Sequence, residues 1–200
     1  GLHFFSPVDK MPLVEIIVGQ ETSDETLARG FDYVLQIGKT PIVVNDKRGF
    51  YTSRVFTTYI MEGMAMLGEG IHPRSVEVAG LKAGMPMPPL ALQDEVSLSL
   101  SLHIAEQTRK DLEAEGVTIP VHPGFAVVQK IGGEKARIGK KSGQGFYDYN
   151  GKDKSLWPGL LEVYPPKAEQ PSQQELVDRL LYAQANEAAR CFEENVVRSV

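Results

Sequence analysis

His3-Phe4-Phe5-Ser6-Pro7-Val8-Asp9-Lys10-Met11-Pro12-Leu13-Val14-Glu15-Ile16-Ile17 is the stretch whose reading decides the fold. Leu2 to Phe5 and Leu13 to Val18 are short apolar runs rich in aromatic and β-branched residues. Pro7 to Pro12 separates them, which predicts two strands joined by a loop. Glu15 interrupts the apolar pairs Leu13-Val14 and Ile16-Ile17. An acid inside such a run is costly unless it is paired or faces water. An edge strand with Glu15 in water satisfies the pattern, and so does a paired Glu15. If the two strands lie side by side, the His3 imidazole and the Glu15 carboxylate can meet. A carboxylate on one ring nitrogen fixes the tautomer and stabilises imidazolium, leaving the other nitrogen as a general base. Taken alone, a histidine near a chain end is an ordinary surface or packed residue.

Working outward, Thr22-Ser23-Asp24-Glu25 has the form of a capping box with Thr22 at the cap. Leu27, Phe31, Val34 and Leu35 follow at helical spacing, and Gly38 is a stop. Ile42-Val43-Val44 predicts a third strand, so residues 1–45 read β-β-α-β, the edge of an α/β domain. The pattern changes at Asp46-Lys47-Arg48-Gly49. Helices are expected over Phe50–Glu69, Val76–Ala83, Leu90–Glu115 and Phe125–Ile131, with a break at Met85–Pro89. Gly143 to Tyr149 reads as a turn into an extended stretch. Residues 150–171, with Pro158, Pro165, Pro166 and Pro171 and several charges, read as a linker. Pro171 to Glu175 caps a last helical pattern that runs to Val200. The expected division is therefore 1–45, 46–149, 150–171 and 172–200.

An internal repeat is visible at an offset of 125 residues. Ser53-Arg54-Val55-Phe56 lies over Asp178-Arg179-Leu180-Leu181. Glu62 lies over Glu187, Leu67 over Phe192, Glu69 over Glu194 and Ile71 over Val196. The first copy continues for some 75 residues past its helix and the second stops at once, so the second is expected to be truncated.

The chain has 200 residues, 42% hydrophobic and 24% charged, an ordinary globular balance. A net charge of −5 argues against nucleic acid or an anionic membrane as the main partner. The single cysteine, Cys191, leaves no intrachain disulfide, and a reducing, cytoplasmic setting is expected. No apolar run approaches the roughly 20 residues of a membrane span. His72, His103 and His122 share no ligand spacing with Cys191, so no metal site is expected. Met61, Met64, Met66, Met85 and Met87 read as core or helix-packing residues, or as the lining of an acyl groove. Lys135, Arg137, Lys140 and Lys141 form a basic cluster, either a solvated turn or an anion contact. No G-x-G-x-x-G occurs. The opening directly in a strand suggests a piece of something longer.

Three motifs now carry a resemblance. His3 to Val8 followed by Met11 to Ile17, then Asp46-Lys47-Arg48-Gly49-Phe50-Tyr51-Thr52-Ser53-Arg54, then Gly139-Lys140-Lys141-Ser142-Gly143-Gln144-Gly145-Phe146-Tyr147 together resemble the 3-hydroxyacyl-CoA dehydrogenase family, in its order and spacing. The resemblance implies a mostly α chain. A helical dehydrogenase C-terminal domain would follow the β-β-α-β remnant of a Rossmann-type NAD-binding domain, with the main NAD site upstream of Gly1. It implies oxidation of (3S)-3-hydroxyacyl-CoA to 3-oxoacyl-CoA with NAD in β-oxidation, with His3 as catalytic base and Glu15 as its acidic partner. It places Ser6 near the nicotinamide, Lys141 near the cofactor and Ser53 at the substrate. Ser6 and Ser53 stand where the family commonly has Asn, and Pro88 where it favours Gly. The duplicated helical unit is similar to that of multifunctional fatty-acid oxidation α-subunits, which implies a homodimer or a complex with a thiolase subunit. The chain alone is expected to be inactive. The competing readings are a helical packing or oligomerisation module and a 3-hydroxybutyryl-CoA dehydrogenase.

Overall fold

The structure, a computed structural model, describes residues 1–118 and 120–198. Residues 199 and 200, at the end of the expected stretch 172–200, lie outside the described residues. The fold is mostly α, with a β-β-α-β segment at its front. The chain divides into two compact units, Gly1–Phe56 with Ala185–Val200, and Thr57–Gln184.

In the first unit, β1 (Leu2–Phe4) pairs antiparallel with β2 (Leu13–Val18), and β2 pairs parallel with β3 (Thr40–Asn45). Helix α1 (Asp24–Gln36) makes the crossover between β2 and β3. Its cap is Ser23 rather than the expected Thr22: the Ser23 side chain accepts from the Thr26 amide, while the Thr22 hydroxyl accepts from Gly19. Side chains alternate along a strand. Val14 and Ile16 pack with Val34 of α1, Phe4 and Leu27, and Glu15 therefore points to the opposite face.

The second unit carries most of α2 (Thr52–Gly68), then α3 (Pro73–Lys82), α4 (Pro89–Val96), α5 (Leu98–Ala114) and α6 (Gly124–Val128). The single helix expected over Leu90–Glu115 is two. Ser97 takes a φ of 81°, and the Leu98 amide donates to Ile138 across the break. A π-helical turn (Gln129–Glu134), a 3-10 turn (Lys140–Ser142) and the hairpin β4 (Tyr147–Asn150)–β5 (Asp153–Leu156) follow. The stretch 150–171 thus carries β5 and α7 (Leu160–Val163). The last helix, α8 (Gln173–Glu193), stops short of the expected Val200; Asn195, just beyond it, is left-handed.

The correspondence at offset 125 appears as an exchange of contacts. In the first unit Arg54 pairs with Glu187 and Glu194, each at 2.6 Å. In the second, Arg179 pairs with Glu62 and Glu69 at 2.6 and 2.7 Å. Asn45 donates to the carbonyl of Asn195, and Gln170 to that of Gly70. Every one of these positions has its counterpart 125 residues away. The helix ends match too: Gly70 and Asn195 are both left-handed, with φ of 84° and 54°. The Ile71 amide returns to Met66, and the Val196 amide to Cys191. Each is a helix-terminating turn that needs a residue tolerant of positive φ.

In the second unit, buried Glu77 of α3 accepts from the Leu90 amide at the start of α4 and from the Tyr147 hydroxyl. Burial pushes its carboxyl up to about 7 from 4.5, against the pull of those donors. An acid raised on folding stabilises the chain fully below its unfolded value, and that contribution is lost as pH rises through the folded one. Between pH 4.5 and 7 this group should remove roughly 3 kcal/mol of unfolding free energy. Denaturant titrations across that window should show Glu77→Gln lacking this part of the slope.

Candidate functional site

His3 and Glu15 are direct partners in the antiparallel register of β1 and β2, so their side chains share one face. His3 Nδ1 lies 2.6 Å from Glu15 Oε2. The imidazole is about a third exposed, at 32%, whereas Glu15 is fully buried at 0%. Burial of a carboxylate is tolerated only when its oxygens are satisfied. Here Oε1 accepts from the amides of Tyr51 and Thr52, at 3.1 and 2.9 Å, and Oε2 also accepts from the Thr52 hydroxyl at 2.8 Å. The two amides and the Thr52 hydroxyl donate, surroundings that favour the ionised form of a carboxylate. Against an ionised Glu15, a neutral His3 carries its proton on Nδ1 and leaves Nε2 as the acceptor.

The amides come from the start of α2, where the first N–H groups of a helix have no partners of their own. The preceding residues, Gly49-Phe50-Tyr51, offer no capping side chain. Glu15 supplies the cap from a neighbouring strand, with its charge at the positive end of the helix. Phe50 turns the chain into that helix with a φ of 46°. Its ring lies 5.9 Å from the imidazole, and that of Phe5 lies 4.5 Å away. Two aromatic rings and one carboxylate therefore fix the ring plane.

Ser53 follows Thr52 in the same helical turn. Its hydroxyl is half-buried and makes no hydrogen bond among the described residues. Ser6 is exposed on the loop after β1. Lys141 is exposed on the 3-10 turn of the second unit, and it too has no partner among the described residues. The other members of its basic cluster differ. Arg137 is buried, donates to the carbonyls of Gly145 and Tyr147, pairs with Asp148, and lies 4.3 Å from the Trp157 ring. Lys140 pairs with Glu95. Sequence reasoning missed Tyr51, Thr52 and Phe50. The signal was there: an acid in an apolar strand and a helix without its own cap are two ends of one contact.

Among the described residues no three His, Cys, Asp or Glu side chains are grouped to hold a metal ion, and no helix is long and apolar enough to cross a membrane. His72 accepts from the Arg74 amide at the start of α3, and His122 from the Gly124 amide. A shallow groove of about 700 Å³ in the second unit is lined by Arg74, Glu77, Met87, Pro88, Tyr147 and Lys154; Met87 and Pro88 are among the residues singled out in the sequence, whereas His3, Glu15, Ser6, Ser53 and Lys141 are not in it.

Two family profiles match the chain: "3-hydroxyacyl-CoA dehydrogenase, NAD binding domain" over residues 1–47, and "3-hydroxyacyl-CoA dehydrogenase, C-terminal domain" over residues 49–149. Among solved structures, the dehydrogenase part of multifunctional enzyme 1 from C. elegans is 25% identical and covers 100% of this chain and 45% of its own, with a TM-score of 0.67. The 3-hydroxybutyryl-CoA dehydrogenase of Escherichia coli K12 is 21% identical and shares the fold over 99% of this chain and 58% of its own, with a TM-score of 0.74. The (S)-3-hydroxybutyryl-CoA dehydrogenase of Ralstonia eutropha is 32% identical over 75% of this chain and 52% of its own, with a TM-score of 0.64. The chain spans about half the length of these structures. The match over residues 1–47 assigns NAD as the cofactor. The first unit fits it to this extent: β2-α1-β3 is a parallel crossover of the dinucleotide-binding kind.

Replacing Glu15 with Gln sets an amide N–H against neighbours that all donate. The expected outcome is a switch of neutral His3 to the Nε2–H tautomer, read from imidazole ¹⁵N shifts, with a loss of about 1–3 kcal/mol in stability.

Proposed function

Because the chain belongs to the 3-hydroxyacyl-CoA dehydrogenase family, we propose that it supplies the proton-transfer dyad for oxidation of (3S)-3-hydroxyacyl-CoA to 3-oxoacyl-CoA. The observation that carries this reading is the contact of His3 with a fully buried, fully hydrogen-bonded Glu15. His3 Nε2 accepts the proton of the substrate's 3-hydroxyl. Glu15 stabilises the imidazolium that forms and keeps the ring in the tautomer that can act again. NAD, when bound, supplies the hydride acceptor. In the reverse direction the imidazolium protonates the ketone oxygen. The unspent hydroxyl of Ser53 donates to a substrate oxygen. Ser6 is the hydroxyl near the nicotinamide, and Lys141 meets an anionic group of the cofactor.

The setting we propose is β-oxidation in the cytoplasm, within a multifunctional protein that pairs with itself or with a thiolase subunit. The match to the C. elegans structure along the whole chain and the exchanged contacts at offset 125 support it. A preference for 3-hydroxybutyryl-CoA is the second reading, favoured by the 32% identity to the Ralstonia enzyme. Rates measured across short and long acyl chains separate the two.

In the protein that carries this chain, His3→Ala should lower kcat by at least about 100-fold, the usual share of general acid–base catalysis, with KM for the acyl-CoA little changed. An unchanged rate combined with lost assembly would favour a packing module instead.

A further inference from the structure

Glu15 Oε2 is shared. It receives the imidazole Nδ1 at 2.6 Å and the Thr52 hydroxyl at 2.8 Å, while Oε1 receives the Thr52 amide at 2.9 Å. Among the described residues Thr52 is thus the one that holds both oxygens of the carboxylate, one through its backbone and one through its side chain. A carboxylate gripped at a single oxygen can turn about its terminal bond, which is a broad torsion. Gripped at both oxygens by a residue in the first turn of a helix, it cannot turn without breaking two hydrogen bonds. The lone pair of Oε2 then stays aimed at the imidazole.

We propose that Thr52 is a positioning residue that clamps Glu15 so that its Oε2 presents a fixed acceptor to His3. This rests on the reading of His3 and Glu15 as the proton-transfer dyad. Position 52 decides the matter by its side chain alone, since any residue there keeps the amide bonds to Oε1. Valine has the shape of threonine without the hydroxyl, and serine has the hydroxyl without the methyl. Ionisable groups on the adjoining elements are Asp46, Lys47 and Arg48 in the turn before α2, Arg54 on α2, Glu187 and Cys191 on α8, and Glu194 just past its end. All of them are the same in both variants.

The test is proton NMR of the His3 Nδ1–H in this chain at low temperature, with Thr52→Val and Thr52→Ser beside the unmodified protein. Loss of one hydrogen bond to a charged group predicts exchange of that proton with water about tenfold faster in Thr52→Val. Thr52→Ser should stay within about twofold of the unmodified rate, and the backbone amides of β1 and β2 should be unaffected in both. An unchanged rate in Thr52→Val overturns the proposal. So does acceleration shared by the strand amides, or a serine variant that behaves like valine, because each assigns the hydroxyl to packing alone. If the unmodified protein carries no proton on His3 Nδ1, the dyad reading itself fails, which is a separate result.

Discussion

One buried carboxylate ties the front of this molecule together. Glu15 sits at the centre of a strand, on the face away from the Val14–Ile16–Val34 core, with no exposed surface. A charge there is stable only because its protein neighbours are donors: an imidazole, two helix-terminal amides and a hydroxyl. The same contacts therefore do three things. They satisfy the acid, they cap α2, and they hold the His3 ring by Nδ1. Fold and proposed chemistry depend on one set of hydrogen bonds.

The second organising feature is the exchange between the two copies related by 125 residues. The head of the first copy meets the tail of the second in one unit, and the tail of the first meets the head of the second in the other. Arg54 and Arg179 each bridge two glutamates of the opposite copy. Those glutamates hold both guanidinium groups firmly in their charged form. The exchange also bears on the site: Arg54 lies two residues beyond Thr52, so the contact that seats α8 steadies the turn that grips Glu15.

Much of this was legible in the sequence. The His3–Glu15 pair could be read because strand alternation and a proline-bounded loop leave few registers. The repeat could be read because its charges fall at a constant offset. What could not be read depended on partners distant in sequence. Helical periodicity runs through Ser97 without a mark; the break there comes from the Ile138 carbonyl claiming the Leu98 amide. Arg137 looks like part of a solvated basic turn, yet it is buried among carbonyls that only a folded hairpin assembles. Thr22 and Ser23 are both good caps, and local geometry rather than residue type chose between them. The donors around Glu15 include two backbone amides, which no side-chain pattern announces.

The account stands or falls on the ionisation of Glu15. Isotope-edited infrared difference spectra of the unmodified protein against Glu15→Gln at neutral pH observe it directly. The account predicts that carboxylate stretching bands vanish in the variant and that no protonated-carboxyl carbonyl band is lost. A lost carbonyl band, the signature of a neutral acid at this position, would contradict it.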